Sequence, residues 1–443
     1  MLMRTKQIRP LLIAAVLLLL GAMQSVAQSV FPIIERDRSF TAGNYGVYPD
    51  KDLPMQTPAP KGYQPFYISH YGRHGSRYLN DMKGYKEPYK TLHQADSLGK
   101  LTEVGKMALR EIKAYIDDTE GRWGDLTDLG TRQQTAIAHR MLQNYPMVFR
   151  KDAFVDARST IVTRCALSMG AFVLQLIKER PKLQVSMSNT LSDMWYMNYQ
   201  NKALRDSATN AHAQKAINRF VAKRWRDHRL SGLFFNDSAY VKQHVDLLWT
   251  VYYMIKASLI QQNSQEGQGL NPLLSVFTSE ELYFFWQVEN AWSYLHSGFC
   301  TRNGGMQPYT QLNLLGKIIS EADSIIASKQ HGASLRFGHE TVLLPLVCLM
   351  GINGYDLKTG NLDELEPKGW WANQVYPMAG NLQIVFYRKN AADKDPLIKV
   401  LLNEKEATLP LPSDLAPYYR WSDFRSFYLK RIAAGESALG IKR

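Results

Sequence analysis

Between Phe66 and about Leu191, short apolar runs alternate with stretches of helical periodicity, the pattern of βα units. Phe66-Tyr67-Ile68 predicts a strand, and Leu101 to Asp117, Asp128 to Asn144 and Leu167 to Ile177 predict helices. A parallel or mixed sheet covered by helices on both faces buries such a pattern. From about Ser192 to Ser320 the chain changes to long helical stretches rich in aromatic residues. There Val245, Leu248, Tyr252, Ile255 and Leu259 recur at helical spacing, and Thr278 to Glu281 forms a capping-box pattern ahead of Leu282-Tyr283-Phe284-Phe285-Trp286. Such an aromatic helix reads as core packing. Strand-like segments return at Ser334 to Phe337, Leu382 to Tyr387 and Ile398 to Leu402, ahead of an amphipathic helix around Ser422 to Ile432. The expected fold is α/β: a discontinuous core of residues 28–191 and 325–443, with residues 192–324 inserted as a helical cap.

The first 27 residues change this picture only by subtraction. Arg4, Lys6 and Arg9 precede an apolar run from Leu11 to Leu20 and the small-x-small triplet Ser25-Val26-Ala27, so a signal peptide cleaved after Ala27 is expected. The run is too short for a permanent anchor, and Val241 to Gln262, the longest later candidate, carries Lys242, His244, Asp246 and Lys256. A periplasmic or secreted protein with no stable membrane anchor is expected. Net charge is +13, and the leader holds three of those charges without an acidic residue, leaving +10. That surplus favours an anionic partner. No RNA-binding aromatic motif, helix-turn-helix or zinc finger is visible, so no nucleic-acid partner is expected, and acidic glycans and polyphosphorylated small molecules both stay open. Cys165, Cys300 and Cys348 are odd in number and far apart, showing neither a disulfide framework nor metal-knuckle spacing.

Chemistry concentrates in Tyr71-Gly72-Arg73-His74-Gly75-Ser76-Arg77-Tyr78. Two guanidinium groups suit phosphate oxygens, and a neutral imidazole between them suits attack on phosphorus. The loop would leave the carboxyl end of the Phe66 strand, where ligands bind in open α/β sheets. A histidine nucleophile needs an acid for the departing alkoxide. In Leu335-Arg336-Phe337-Gly338-His339-Glu340, a strand is expected to end at Phe337, Gly338 to allow a tight turn, Glu340 to donate the proton and His339 to bond the phosphate. Arg158 and Arg164 flank Ser159-Thr160-Ile161-Val162-Thr163 where a helix begins, and either suits an anion or a surface ion pair. Lys83, Lys86 and Lys90 follow the Arg-His-Gly loop, where a solvated face and contact with outer phosphates are both open readings.

Taken together these segments resemble the histidine acid phosphatase branch of the histidine phosphatase superfamily, and most closely its multiple inositol-polyphosphate phosphatases. The likeness rests on Arg73 to Arg77, Arg164 and His339-Glu340 in the family's order, with further agreement at Leu126-Thr127, Gly130, Gln133 and Leu343-Leu344-Pro345-Leu346. It implies His74 as nucleophile of a phosphohistidine intermediate, with Arg73, Arg77, Arg164 and His339 clamping the phosphate oxygens. Glu340 would serve as acid and then base, and no metal or cofactor is implied. Leu79 stands where the family commonly has proline, and His339 and Glu340 adjoin where the inositol-polyphosphate branch usually separates them by one residue. Phytate or other inositol polyphosphates are the favoured substrates. A broad-specificity acid phosphatase acting on sugar phosphates and nucleotides is the alternative, and a non-catalytic anion-binding protein of the same fold is the alternative from another class.

Overall fold

A computed structural model describes residues 29–51, 53–199, 201–227, 229–264 and 271–441; the expected leader lies outside them. Strands β1 (Gln64–Arg73), β2 (Phe154–Ser159), β3 (Gln184–Ser188), β4 (Gly332–Gly338), β5 (Asn381–Arg388), β6 (Leu397–Leu402), β7 (Lys405–Glu406) and β8 (Tyr418–Arg420) form one sheet. Their order is β8-β6-β5-β1-β4-β2-β3, with β7 paired to β6. The strands from β1 to β3 along this order run parallel, and β5, β6 and β8 extend the sheet antiparallel. The mixed sheet expected from the sequence is thus present.

Helices α1 (Lys83–Ser97), α2 (Glu103–Thr119), α3 (Asp128–Asn144) and α4 (Thr163–Glu179) follow the first strands. The middle of the chain supplies α5 (Ala211–Arg224), α6 (Leu247–Ile260), α7 (Ser279–Ser297) and α8 (Leu312–Ser328), and α9 (Glu340–Met350) and α10 (Trp421–Ala438) complete the set used below. Strand periodicity decides which helix covers which face. Ile68, Val155, Ala157, Leu335, Phe337, Val385 and Leu401 point to the side of α3 and α4. Tyr67, Tyr71, Leu382, Ile384, Phe386, Ile398 and Val400 point to the side of α8, α9 and α10. A third interior joins Val30 and Ile34 to α1, α2, α6 and α7. The capping box at Thr278 and Glu281 forms as the sequence predicts, starting α7. Among the described residues no helix is long and apolar enough to cross a membrane, and Cys165, Cys300 and Cys348 are free, buried thiols.

Three buried histidines tie stability to pH. His70 on β1 lies between Phe172 and Phe337, and burial, reinforced by Arg336, lowers its pKa to about 3. Burial likewise lowers His74 well below its ordinary value and His339 to about 4. Unfolding returns each to roughly 6.5, so between about pH 6.5 and 4 the unfolded chain binds the extra protons. Stability therefore declines as pH falls through that window. Calorimetry from pH 7 to 4 is expected to show a falling Tm, and a flat profile would contradict neutral burial of these rings.

Candidate active site

The register of three parallel strands assembles the site. Arg73 closes β1 opposite Gly338, which closes β4, and Ser159 closes β2 opposite Phe337. The His74 N–H then donates to the Gly338 carbonyl at 2.9 Å and the Thr160 N–H to Phe337 at 3.0 Å. The residues just past all three strands are thereby brought to one level, at the carboxyl edge of the sheet. Gly338 does not make the expected tight turn: it is the last paired residue of β4, and a Cβ there would lie 2.0 Å from the Tyr71 hydroxyl oxygen. A larger residue there would have to push the Tyr71 ring aside.

The Arg-His-Gly loop is held by Gln133 and Gln134 of α3 and by Ser168 of α4. Ser76 N–H donates to Gln133 Oε1 at 2.8 Å, Gly75 N–H to Ser168 Oγ at 3.0 Å, and Gln134 Nε2 to the Arg73 carbonyl at 3.0 Å. A Cβ on Gly75 would lie 2.3 Å from the Gly130 carbonyl, and one on Gly130 2.3 Å from that of Ser76. Backbone blocks backbone here, so neither clash is relieved by turning a side chain. Gly75→Ala is expected to displace the loop at a cost of roughly 1–3 kcal/mol. That is tolerable against a typical total of about 5–15 kcal/mol. Turnover at this site, as kcat/KM, should fall at least about tenfold while the Tm drops by only a few degrees; wild-type kinetics would show that the approach is not needed.

Buried against this loop, the His74 ring places Nδ1 2.9 Å from the Gly75 carbonyl, which can only accept. Nδ1 must carry the proton, and Nε2 keeps the lone pair. Burial, then Arg73 and Arg77, hold the pKa well below the ordinary imidazole range, so the ring is neutral. Nε2 has no hydrogen-bond partner among the described residues. Around it Arg73 is gripped through Nη1 by the carbonyls of Asn44 and Tyr376, at 2.7 and 2.6 Å, and Arg77 through Nη1 by that of Tyr78 at 2.9 Å. Arg73 Nη2, Arg77 Nε, Arg164 Nε and Gln133 Nε2 are buried donors left without acceptors. Buried donors of this kind call for an anion.

His339 immediately precedes α9, and Glu340 is that helix's first residue. The Glu340 Oε2 lies 3.1 Å from Arg73 Nε and 3.9 Å from His74 Nε2. Burial pushes the Glu340 pKa up, but the charged Arg73 and Arg77 pull it down further, so the free carboxyl titrates well below its ordinary range. Thr160 Oγ1, 3.1 Å from His339 Nε2, and the Cys165 thiol at 3.7 Å fix that ring. Burial raises the thiol pKa to about 11, leaving it inert. His74, His339 and Glu340 offer atoms within 4.8 Å of one another, the spacing of a metal site. Three neighbouring guanidinium groups disfavour a cation at that point and favour an anion.

These features agree with a comparison of sequences, in which residues 72–403 match the histidine phosphatase superfamily (branch 2). The chain belongs to that branch. Among solved structures similar to this histidine phosphatase are the Bifidobacterium longum multiple inositol polyphosphate phosphatase with inositol hexasulfate and a phytase from D. castellii. The first has a TM-score of 0.73 at 16% identity over 88% of this chain and 97% of its own. For the second, the TM-score is 0.63 at 17% identity over 91% and 88%. At such identities the likeness speaks for the fold alone.

All six residues singled out from the sequence, Arg73, His74, Arg77, Arg164, His339 and Glu340, stand at this edge of the sheet of the histidine phosphatase. Arg158 does not join them: it pairs with Asp156 at 3.0 Å and Asp193 at 2.9 Å. Lys83, Lys86 and Lys90 are exposed on α1. Sequence reasoning missed the carbonyls of Asn44 and Tyr376 and the orienting Thr160. Backbone carbonyls have no residue-type signature, and Thr160 was visible only as one hydroxyl among several. A cleft of about 480 Å³ opens beside Arg164, His339 and Glu340, lined also by the end of α7 and the segment just before α8.

Proposed function

We propose that this protein is a metal-independent phosphomonoesterase that works through a phosphohistidine, acting on inositol phosphates and related phosphorylated polyols. One observation carries the proposal: the neutral, buried His74 presents a lone pair on Nε2 among buried arginine donors that lack acceptors. The Nε2 lone pair attacks phosphorus as the bond to the ester oxygen breaks, and that oxygen takes the proton from Glu340. Arg73, Arg77, Arg164 and His339 neutralise the equatorial oxygens, which supplies most of the barrier lowering in phosphoryl transfer. Water then attacks the phosphohistidine, giving its proton to the Glu340 carboxylate, and phosphate leaves with His74 neutral again.

Inositol polyphosphates are favoured because the likeness to the family's inositol-polyphosphate branch spans most of the chain, and the +10 charge outside the leader is compatible with a polyanion. The leader-like first 27 residues support a periplasmic or secreted location. Purified protein assayed for phosphate release from inositol phosphates, in the presence and absence of EDTA, tests the reading. Turnover unaffected by chelator supports it, and no release from any phosphomonoester overturns it.

A further inference from the structure

While the site takes the carboxyl edge of the sheet, the opposite edge gathers charge. The segments leading into β1, β2, β3 and β4, with the β5–β6 hairpin, hold Lys61, Arg150, Lys151, Arg180, Lys182, Lys329, Arg388, Lys389 and Lys394. Against these nine cations the same segments set three carboxylates, Asp152, Asp393 and Asp395, a surplus of six within the +10 outside the leader. Register brings the segments together: Gly332 stands opposite both Tyr67 and Phe154, Phe154 opposite Gln184, and Gln64 opposite Arg388. Arg388 Nη2 donates to the Lys329 carbonyl at 3.2 Å, and His331 Nε2 meets that of Lys151 at 3.2 Å. Arg180 Nη1 donates to the Glu179 carbonyl at 3.0 Å, so two of the nine serve helix ends. The other seven are exposed and, among the described residues, in no ion pair. Asp393 and Asp395 accept instead from backbone N–H groups of Lys389, Asp395 and Ser422, and Glu179 pairs with His139.

Scattered lysines serve solubility. What separates this edge from a solvated face is its shape. Its segments follow α3 and α4 on one face of the sheet and α8 on the other, so the charge spreads over three layers and about 20 Å of strand ends, β5-β1-β4-β2-β3. A single anionic chain lies along a row or a groove, whereas a platform this broad meets a planar anion with all its cations at once. We infer that this edge docks on the surface of an anionic lipid bilayer, held by headgroup phosphates. The ten residues of β1 set the catalytic edge about 30 Å away, turned from the membrane toward solvent. The attachment is electrostatic and inserts nothing, so salt screens it. No residue of the platform belongs to the site, and the inference stands whichever ester that site hydrolyses.

Flotation of the purified protein with vesicles of phosphatidylglycerol and phosphatidylcholine, against phosphatidylcholine alone, tests this. At about 50 mM salt the acidic vesicles should take up the protein at least about tenfold better, and about 0.5 M salt should abolish the difference. Reversing three exposed charges, in Lys151→Glu/Lys182→Glu/Lys389→Glu, should lower that partition at least about tenfold. Its Tm and its turnover of a soluble phosphomonoester should stay at the wild-type level. Lys83→Glu/Lys86→Glu/Lys90→Glu changes the net charge equally on α1 and should stay within about threefold of wild-type partition. No preference of the wild type for acidic vesicles would overturn the inference, and so would equal losses in the two triple variants, which would make the attraction a property of net charge alone. Retention on immobilised heparin at the same salt without vesicle binding would replace the bilayer by an acidic glycan.

Discussion

His74→Ala is expected to lower kcat for phosphomonoesters by at least about 10⁴-fold, because no other group carries an unpartnered lone pair to the same point. Rapid quenching without acid, after mixing with labelled substrate, should trap a phosphoenzyme in the wild type that survives alkali and is lost in acid. The alanine protein should trap none. The Tm should change little, since the ring makes a single hydrogen bond and takes no part in the three apolar interiors. A variant with more than about a tenth of wild-type activity would remove His74 from the chemistry.

Glu340→Gln carries the second large effect, and it depends on the leaving group. Sugar and cyclitol alkoxides need a proton as they depart, so kcat on their phosphates should drop about 10²–10⁴-fold. An aryl phosphate, whose phenolate leaves unaided, should lose less than about tenfold. The pH dependence follows from the guanidinium groups that depress the free carboxyl. A bound phosphate ester neutralises those groups and lets the Glu340 pKa rise, so the alkaline fall of kcat should lie at higher pH than that of kcat/KM. With aryl phosphate the glutamine variant should lose this limb. Toward acid, the depressed pKa of His74 keeps the ring neutral below the ordinary imidazole range. Equal losses on alkyl and aryl esters would mean that Glu340 does not protonate the leaving group and acts only in the shared hydrolysis of the phosphohistidine or in organising Arg73.

Much of this was legible in the chain because the informative patterns were local. Asp128–Asn144 follows from its helical period and forms with those bounds, and the structure adds Thr127 as its cap. Glu340 could be named because a histidine and an acid adjoin at a strand-to-helix junction. What escaped depends on register. β3 is the alternating run Gln-Val-Ser-Met-Ser, only five residues long, and what the sequence does not reveal is its pairing with β2 at the end of the sheet. The role of Gly338 was misread as a turn because nothing in the sequence reveals that the Tyr71 hydroxyl will lie against it. Arg158 and Arg164 looked alike until the fold supplied Asp156 and Asp193 to one and a buried edge to the other.

The position of β4 bears on how the protein comes into being. It lies between β1 and β2, yet both are made long before it, and β1's other neighbour, β5, is made later still. A ribosome-bound chain that stops short of Gly332 exposes two edges of an unfinished parallel sheet, with the histidine loop attached and neither His339 nor Glu340 yet present. Pairings so distant in sequence are slow to close, and open edges invite other chains meanwhile. The nascent protein therefore holds His74 without its partners until one late strand slots into the gap; the event that joins β1 to β2 also brings His339 and Glu340 to the histidine, and β5 closes β1's other edge afterwards.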